Sequence, residues 1–312
     1  MFGSVTELKQ ALRKARYLVN DDTATVVFLA DRLGKPLLIE GPAGVGKTEM
    51  SKALAEAMDT ELIRLQCYEG LDEAKALYEW QYAKQMLYTQ VLRDRVSALL
   101  ADTQTLGEAF DRIAQEEDLF FSENFLLPRP LLRALLSERR PVLLIDEVDK
   151  TDPEFEAFLL EVLSDFQVSV PELGTISAQS QPLVVLTSNQ QRDLSDALKR
   201  RCLHLFINYP SMKEELSVVQ VRAPEVPEKL AKEVVAFIHE VRRLALKKTP
   251  GLSETIEWAR ALAMLNASNL GRDNVAQTLG VFVKYESDSQ RVRGDLTTLL
   301  RKTALRIEQW KN

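Results

Sequence analysis

The amino-acid sequence predicts an α/β fold, an αβα sandwich around a parallel five-stranded sheet, followed by a C-terminal all-helical domain. Short apolar runs at 36–40, 62–65, 142–145, 183–186 and 203–207 alternate with helical periodicity as far as Pro210. A Gly-rich segment joins the first run directly to a helix. Beyond Pro210 the strand signal fades and helical spacing takes over. The expected division is therefore a core at 1–210 and a helical lid at 211–312.

Helical spacing covers Val5–Leu18 and Thr23–Leu33, where Gly34 breaks it. The strand candidate Pro36–Glu40 follows, then Gly41–Gly46, then a helix over Lys47–Met58 with Met50, Leu54 and Met58 on one face. Leu62–Leu65 is the second strand. Residues 71–120 carry helical periodicity rich in aromatics (Tyr78, Trp80, Tyr82, Tyr88), with a second helix near Leu106–Gln115, and read as an insertion between two sheet strands. Packing is the commoner role for such a stripe, contact with a client the alternative. Val142–Asp146 is the clearest strand, four β-prone apolar residues ending in a carboxylate. Asp152-Pro153 opens a helix with an N-cap and an N1 proline, and Phe155, Phe158, Leu159, Val162, Leu163 and Phe166 form its apolar face. Residues 167–178 read as a hairpin. Leu183–Leu186 and Leu203–Ile207 complete the sheet. Helices are expected at roughly 228–248, 253–266, 273–284 and 295–310.

Composition excludes several classes. Of 312 residues, 46% are apolar and 28% charged, which permits a sizeable core. The net charge of −6 gives no overall electrostatic pull toward nucleic acid. Cys67 and Cys202 lack any metal-ligand spacing and read as small buried hydrophobes. His204 and His239 are expected to be structural. No apolar run approaches the ~20 residues of a membrane span, and the N-terminal segment lacks a signal-peptide core. A cytoplasmic location is expected.

The chemistry sits in four places. Gly41-Pro42-Ala43-Gly44-Val45-Gly46-Lys47-Thr48 matches G-x-x-x-x-G-K-[ST] in full, in strand–loop–helix context. Its glycines let backbone N–H groups curl around phosphate oxygens, and the helix adds its positive N-terminal end. Lys47 is placed to reach the β/γ-phosphates, and the Thr48 hydroxyl to ligate Mg²⁺. The fold class is thus a P-loop NTPase. Asp146 and Glu147 come second. They are delivered at a strand's C-terminal end, where α/β sheets bind ligands, with Asp146 for Mg²⁺ and Glu147 as general base. Asp149 reads as a solvated or capping residue. Asn189 is third: its amide at a strand end suits orienting the lytic water, or simply ends the strand in a turn. Arg200 and Arg201 are fourth, at the C-terminal end of a short helix. They either complement the helix dipole or act as an arginine finger in a neighbour's site.

These elements, in this order, resemble AAA+ ATPases and more narrowly the MoxR-like group. GPAGVGKT is similar to the Walker A motif, VLLIDEVDK to Walker B, LTSNQ to the sensor-1 strand end, and ALKRRCLHLFINYP to the segment bearing the arginine finger. Residues 71–120 and 167–178 resemble the helix-2 insert and pre-sensor-1 hairpin of that clade. YEGLDEAKALYEWQYAKQML and LLEVLSDFQVSVPELGTI look like the ATPases encoded with carbon-monoxide-dehydrogenase-type molybdenum enzymes. The resemblance implies ATP rather than GTP, Mg²⁺, a homo-oligomer (a hexameric ring), and a role as chaperone for metal-cofactor insertion into a molybdenum hydroxylase client. It also implies a partner bearing a von Willebrand factor A domain. A nucleic-acid-linked or GTP-dependent AAA+ motor subunit is the alternative. One departure stands out. Where the group's Gly-x-Ser-x-Arg places a nucleotide-sensing arginine, Gly251–Thr255 ends in threonine, and the nearest basic residue is Arg260. Arg260 either serves as that sensor or forms an ordinary ion pair.

Overall fold

The computed structural model describes residues 2–91, 105, 126–170 and 174–311. Two N-terminal helices, α1 (Val5–Lys14) and α2 (Asp21–Leu33), precede strand β1 (Leu37–Glu40). Both start on polar caps: the Ser4 side chain accepts from Glu7 N and that of Asn20 from Thr23 N. Gly34, left-handed at φ 64°, ends α2. The P-loop then leads into α3 (Lys47–Ala57) and β2 (Leu62–Gln66).

The stretch expected to be wholly helical begins with α4 (Glu73–Leu77) and then departs from expectation. Strand β3 (Tyr78–Trp80) pairs antiparallel with β4 (Leu126–Pro128) before α5 (Tyr82–Val91) begins. Tyr78 and Trp80 are β-prone, and their partner strand lies far along the chain, where local periodicity gives no sign of it. The helix expected at 106–115 lies outside the described residues. Helix α6 (Pro130–Leu135) has proline at its first position and leads to β5 (Val142–Asp146). A 3₁₀ turn (Val148–Lys150) and α7 (Pro153–Asp165) follow, with Asp152 capping Phe155 N at 2.8 Å. Strands β6 (Gln167–Val170) and β7 (Gly174–Ser177) pair antiparallel. Then come β8 (Leu183–Ser188), α8 (Asp196–Arg201) and β9 (Leu203–Phe206).

The main sheet is wholly parallel in the order β2-β5-β8-β1-β9. Its three central strands, β5, β8 and β1, are buried on both faces, as the interior of a parallel sheet is, while the edge strands β2 and β9 keep exposed positions. Side chains alternate strictly between two cores. Leu37 and Ile39, Val142, and Leu183 and Val185 face the α1–α3 side. Leu38, Leu143 and Ile145, and Val184 and Leu186 face the α6–α7 side. Parallel pairing brings Glu40, Asp146 and Ser188 to one edge, beside the start of α3.

Five helices follow: α9 (Met212–Arg222), α10 (Glu228–Val241), α11 (Leu252–Met264), α12 (Arg272–Phe282) and α13 (Glu286–Lys311). They build a third core around Phe237, Trp258 and Phe282, drawn entirely from residues beyond 210. Helix α9 was not predicted. Its signal is a capping box, in which Ser211 Oγ accepts from Glu214 N while Glu214 accepts from Ser211 N. Helix α13 begins nine residues earlier than expected, because its first turns are polar and Val292 is the one buried apolar residue there. Helix α10 stops at Val241, ahead of the Pro250 that would disfavour helix just before it.

Candidate active site

Backbone geometry makes the phosphate cradle. Gly41, Gly44 and Gly46 have φ of 151°, 78° and 98°, a region open to glycine and costly to other residues. At Gly41 a Cβ would lie 2.0 Å from the Ile207 carbonyl, so no side chain fits. Pro42 and Ala43 carry the loop outward between the first two of these glycines. Val45 is buried, and Gly46 caps α3. The Tyr17 hydroxyl donates to Gly46 O at 3.2 Å. Burial, and then the nearby Glu49 charge, push its phenol pKa well up.

Lys47 is buried and folds over its own loop. Its ammonium donates to Gly41 O (2.7 Å), Pro42 O (2.8 Å) and Asn189 Oδ1 (2.8 Å). Burial lowers its pKa, opposed by the charges of Asp149, Asp146 and Glu147. Asn189 uses its other amide atom on Glu147, Nδ2 to Oε1 at 3.1 Å. One carboxamide therefore spans the Lys47 ammonium and the Glu147 carboxylate.

Asp146 is buried and anchored from several sides. Thr48 Oγ1 donates to its Oδ1 at 3.0 Å with a longer contact to Oδ2 (3.3 Å), and Thr187 Oγ1 donates to Oδ1 at 2.6 Å. Thr187 also accepts from Glu147 N at 2.9 Å, which fixes the turn carrying the glutamate. Glu147 sits in the left-handed region at φ 59°, a backbone strain of about 1–3 kcal/mol that concentrates at functional sites. Its Oε2 accepts from Gln66 Nε2 (2.9 Å) and pairs with Lys150 (2.6 Å). The donors Thr48 and Asp146 fit Mg²⁺: they are hard oxygens, and Mg²⁺ is typically held by one or two protein groups, with phosphates and water completing its shell. No cluster of three metal-binding side chains exists among the described residues.

Asp149 corrects the sequence reading. It is buried rather than solvated, and its Oδ2 accepts from Asn189 N (3.1 Å) and Gln191 N (3.0 Å). It thereby sets the loop that aims Asn189. Arg64, Gln66, Thr187 and Lys150 were also missed. The available signal was a polar residue inside or just after an otherwise apolar strand.

Arg200 and Arg201 lie on α8, exposed, with no ion pair or hydrogen bond among the described residues. Arg260 lies on α11, pairs with Glu225 at 3.0 Å and donates to Arg222 O. Thr255, where the related motif has arginine, is buried and donates to Glu215 at 2.7 Å. The lid touches the P-loop through backbone: Leu252 N donates to Gly44 O at 2.8 Å. Arg222 adds an ion pair to Glu49 on α3 at 2.9 Å. The two histidines are structural partners, His204 of Glu40 (2.6 Å) and His239 of Glu215 (2.8 Å). Both cysteines are buried with pKa raised to about 12, chiefly by burial, so neither is a reactive thiol.

A glycine cradle, its lysine, a threonine–aspartate pair, a glutamate and a bridging asparagine at one edge of a parallel sheet define a P-loop nucleoside triphosphatase. The chain belongs to the AAA domain family, dynein-related subfamily, whose model matches residues 36–202. As an AAA domain it binds ATP with Mg²⁺ and hydrolyses it. The chaperone protein ClpB of Rhodopirellula baltica is 25% identical over 266 residues, covering 75% of this chain and 25% of that protein. The mitochondrial Lon protease homolog 1 of Dictyostelium discoideum is 26% identical over 284 residues, covering 82% of this chain and 25% of that protein. The chain thus spans about a quarter of the length of these curated relatives. Among solved structures, the Thermotoga maritima RuvB Holliday junction branch migration motor is similar with a TM-score of 0.44 and 17% identity, covering 90% of this chain and 71% of that one. No described helix is long and apolar enough to cross a membrane.

Proposed function

We propose that this chain is an ATP-driven remodelling chaperone that works as a homo-oligomeric ring on a protein client. The observation that supports this reading is the Lys47–Asn189–Glu147 chain of hydrogen bonds, which joins the three side chains to which we assign phosphate binding, water orientation and general-base catalysis. Lys47 exchanges its carbonyl partners for the β/γ-phosphates. Asn189 orients the attacking water, and Glu147 takes its proton. Thr48 and Asp146 would hold Mg²⁺, which would supply charge neutralisation at the phosphates. Arg200 or Arg201 completes a neighbouring subunit's site. Their exposure without an internal partner supports this role over a purely structural one. For Arg260 to sense nucleotide it must exchange Glu225 for phosphate.

On the motif resemblance, the client we propose is a molybdenum hydroxylase and the partner a von Willebrand factor A-domain protein. The similarity to chaperone proteins supports the broader reading. The test is affinity capture with Glu147→Gln in ATP, which holds the nucleotide-bound form, followed by mass spectrometry. Recovery of either named protein class supports the narrow reading. Recovery of nucleic acid alone, with hydrolysis stimulated by it and steeply salt-dependent, replaces it with the motor reading.

A further inference from the structure

A cation already touches the carboxylate assigned to Mg²⁺. Arg64, on the edge strand β2, donates to Asp146 Oδ2 from Nε at 3.1 Å and from Nη2 at 2.5 Å. The strand register explains the reach. Arg64 lies opposite Leu144 and Gln66 opposite Asp146, so the arginine extends forward along the sheet to its C-terminal edge. Burial is lopsided: the Asp146 side chain is 3% exposed and that of Arg64 48%. The carboxylate is locked by Thr48 and Thr187, whereas the guanidinium stands half in water. Water can solvate the departing guanidinium, whereas the buried carboxylate gives it up cheaply only when another cation takes its place. Oδ1 is engaged at 2.6 Å and 3.0 Å by the two threonines, so Oδ2 is where a second cation meets Arg64.

We infer that Arg64 competes with Mg²⁺ for Asp146, and that metal loading requires the guanidinium to swing off Oδ2 into solvent. Two cations on one carboxylate oxygen repel each other strongly at these separations. The competition sets how much Mg²⁺ the site needs, and leaves nucleotide affinity without metal alone, since the hydrogen-bond partners of Arg64 are Asp146 and Gln66 rather than the P-loop. The inference rests on the reading of Thr48 and Asp146 as the Mg²⁺ ligands.

The experiment measures binding of AMP-PNP, a non-hydrolysable ATP analogue, by calorimetry, first in EDTA and then across a Mg²⁺ titration. It uses the full chain as wild type, Arg64→Ala, Arg64→Gln, Arg64→Lys and Asp146→Asn, each first checked for a native melting transition. Arg64→Ala and Arg64→Gln should match wild type in EDTA within about twofold and reach their Mg²⁺ midpoint at roughly five- to tenfold lower concentration. Arg64→Lys keeps the charge and should stay near wild type. An unchanged or higher midpoint on removing the charge overturns the competition. Weaker binding in EDTA also overturns it, by making Arg64 a phosphate contact. Asp146→Asn isolates the underlying reading: if the Mg²⁺ dependence of wild type survives that substitution, the metal is held elsewhere and the competition falls with the assignment.

Discussion

Gly251→Ala tests how the helical lid is seated on the nucleotide loop. Gly251 precedes α11 with φ −85° and ψ −175°, a conformation alanine adopts freely, so backbone strain plays no part. Contact decides the outcome. A Cβ there meets Gly44 Cα at 2.8 Å, Gly44 O at 2.9 Å and Glu254 Oε2 at 2.9 Å. Two of these atoms are P-loop backbone and cannot rotate away. Reaching ordinary contact at 3.4 Å requires the helix start to retreat by 0.6 Å, the difference between 3.4 and 2.8. That retreat stretches the 2.8 Å bond from Leu252 N to Gly44 O. Overpacking of this kind costs about 1–3 kcal/mol and the weakened hydrogen bond about 1 kcal/mol. A total near 2–4 kcal/mol is expected, read as a lower melting temperature together with weaker ADP binding. Gly280→Ala is the matched control. It lies inside α12, where a Cβ meets nothing within 4 Å, so it should stabilise by about 0.5–1 kcal/mol. A Gly251→Ala protein that melts at or above wild type and binds ADP equally well would refute the docking argument.

The buried pair in the lid gives two further expectations. Glu215 accepts from Arg242 at 2.6 and 2.8 Å, from Thr255 at 2.7 Å, and pairs with His239 at 2.8 Å. Glu215→Ala strands Arg242 and should cost about 3–5 kcal/mol in urea unfolding of the lid, whereas Glu215→Met with Arg242→Met recovers most of it. A Glu215→Ala loss below about 1 kcal/mol would contradict this. Burial works to raise the Glu215 pKa, but hydrogen bonds from His239 and Arg242 and the Arg242 charge overcome it and hold the pKa below its usual 4.5. The unfolded chain therefore binds the proton first. The contribution of Glu215 is full above about pH 4.5 and is lost as pH falls through the depressed folded value, an acid dependence that Glu215→Gln should flatten. Arg200→Ala or Arg201→Ala should lower turnover by about 10³-fold with little change in nucleotide affinity of isolated subunits. Unaltered turnover in both would remove the trans-acting finger.

The sheet and the strand ends that carry the candidate site were legible because their signals are local. Gly41–Thr48 writes its own geometry, and Val142–Glu147 is an apolar run ending in carboxylates. What was not legible depends on pairing across distance. Strand β3 finds its partner 46 residues later, from Trp80 to Leu126. Arg64 and Gln66 look like ordinary solvent-facing positions until register places them beside Asp146 and Glu147. Asp149 resembles a surface carboxylate in the sequence, yet the following loop folds back over it and donates two backbone N–H groups. Thr255 illustrates a departure from a familiar motif that the structure accounts for: its hydroxyl completes the Glu215 network.

The measurement that bears most directly on the hydrolytic site is ATP turnover and ATP affinity of Glu147→Gln, made side by side. The Gln side chain retains the shape that accepts from Asn189 but cannot take a proton. Nucleotide binding within about twofold of wild type and turnover reduced by about 10²–10⁴-fold are expected. Turnover close to wild type would show that Glu147 is not the base, and that the arrangement built around Lys47 and Asn189 serves some other step.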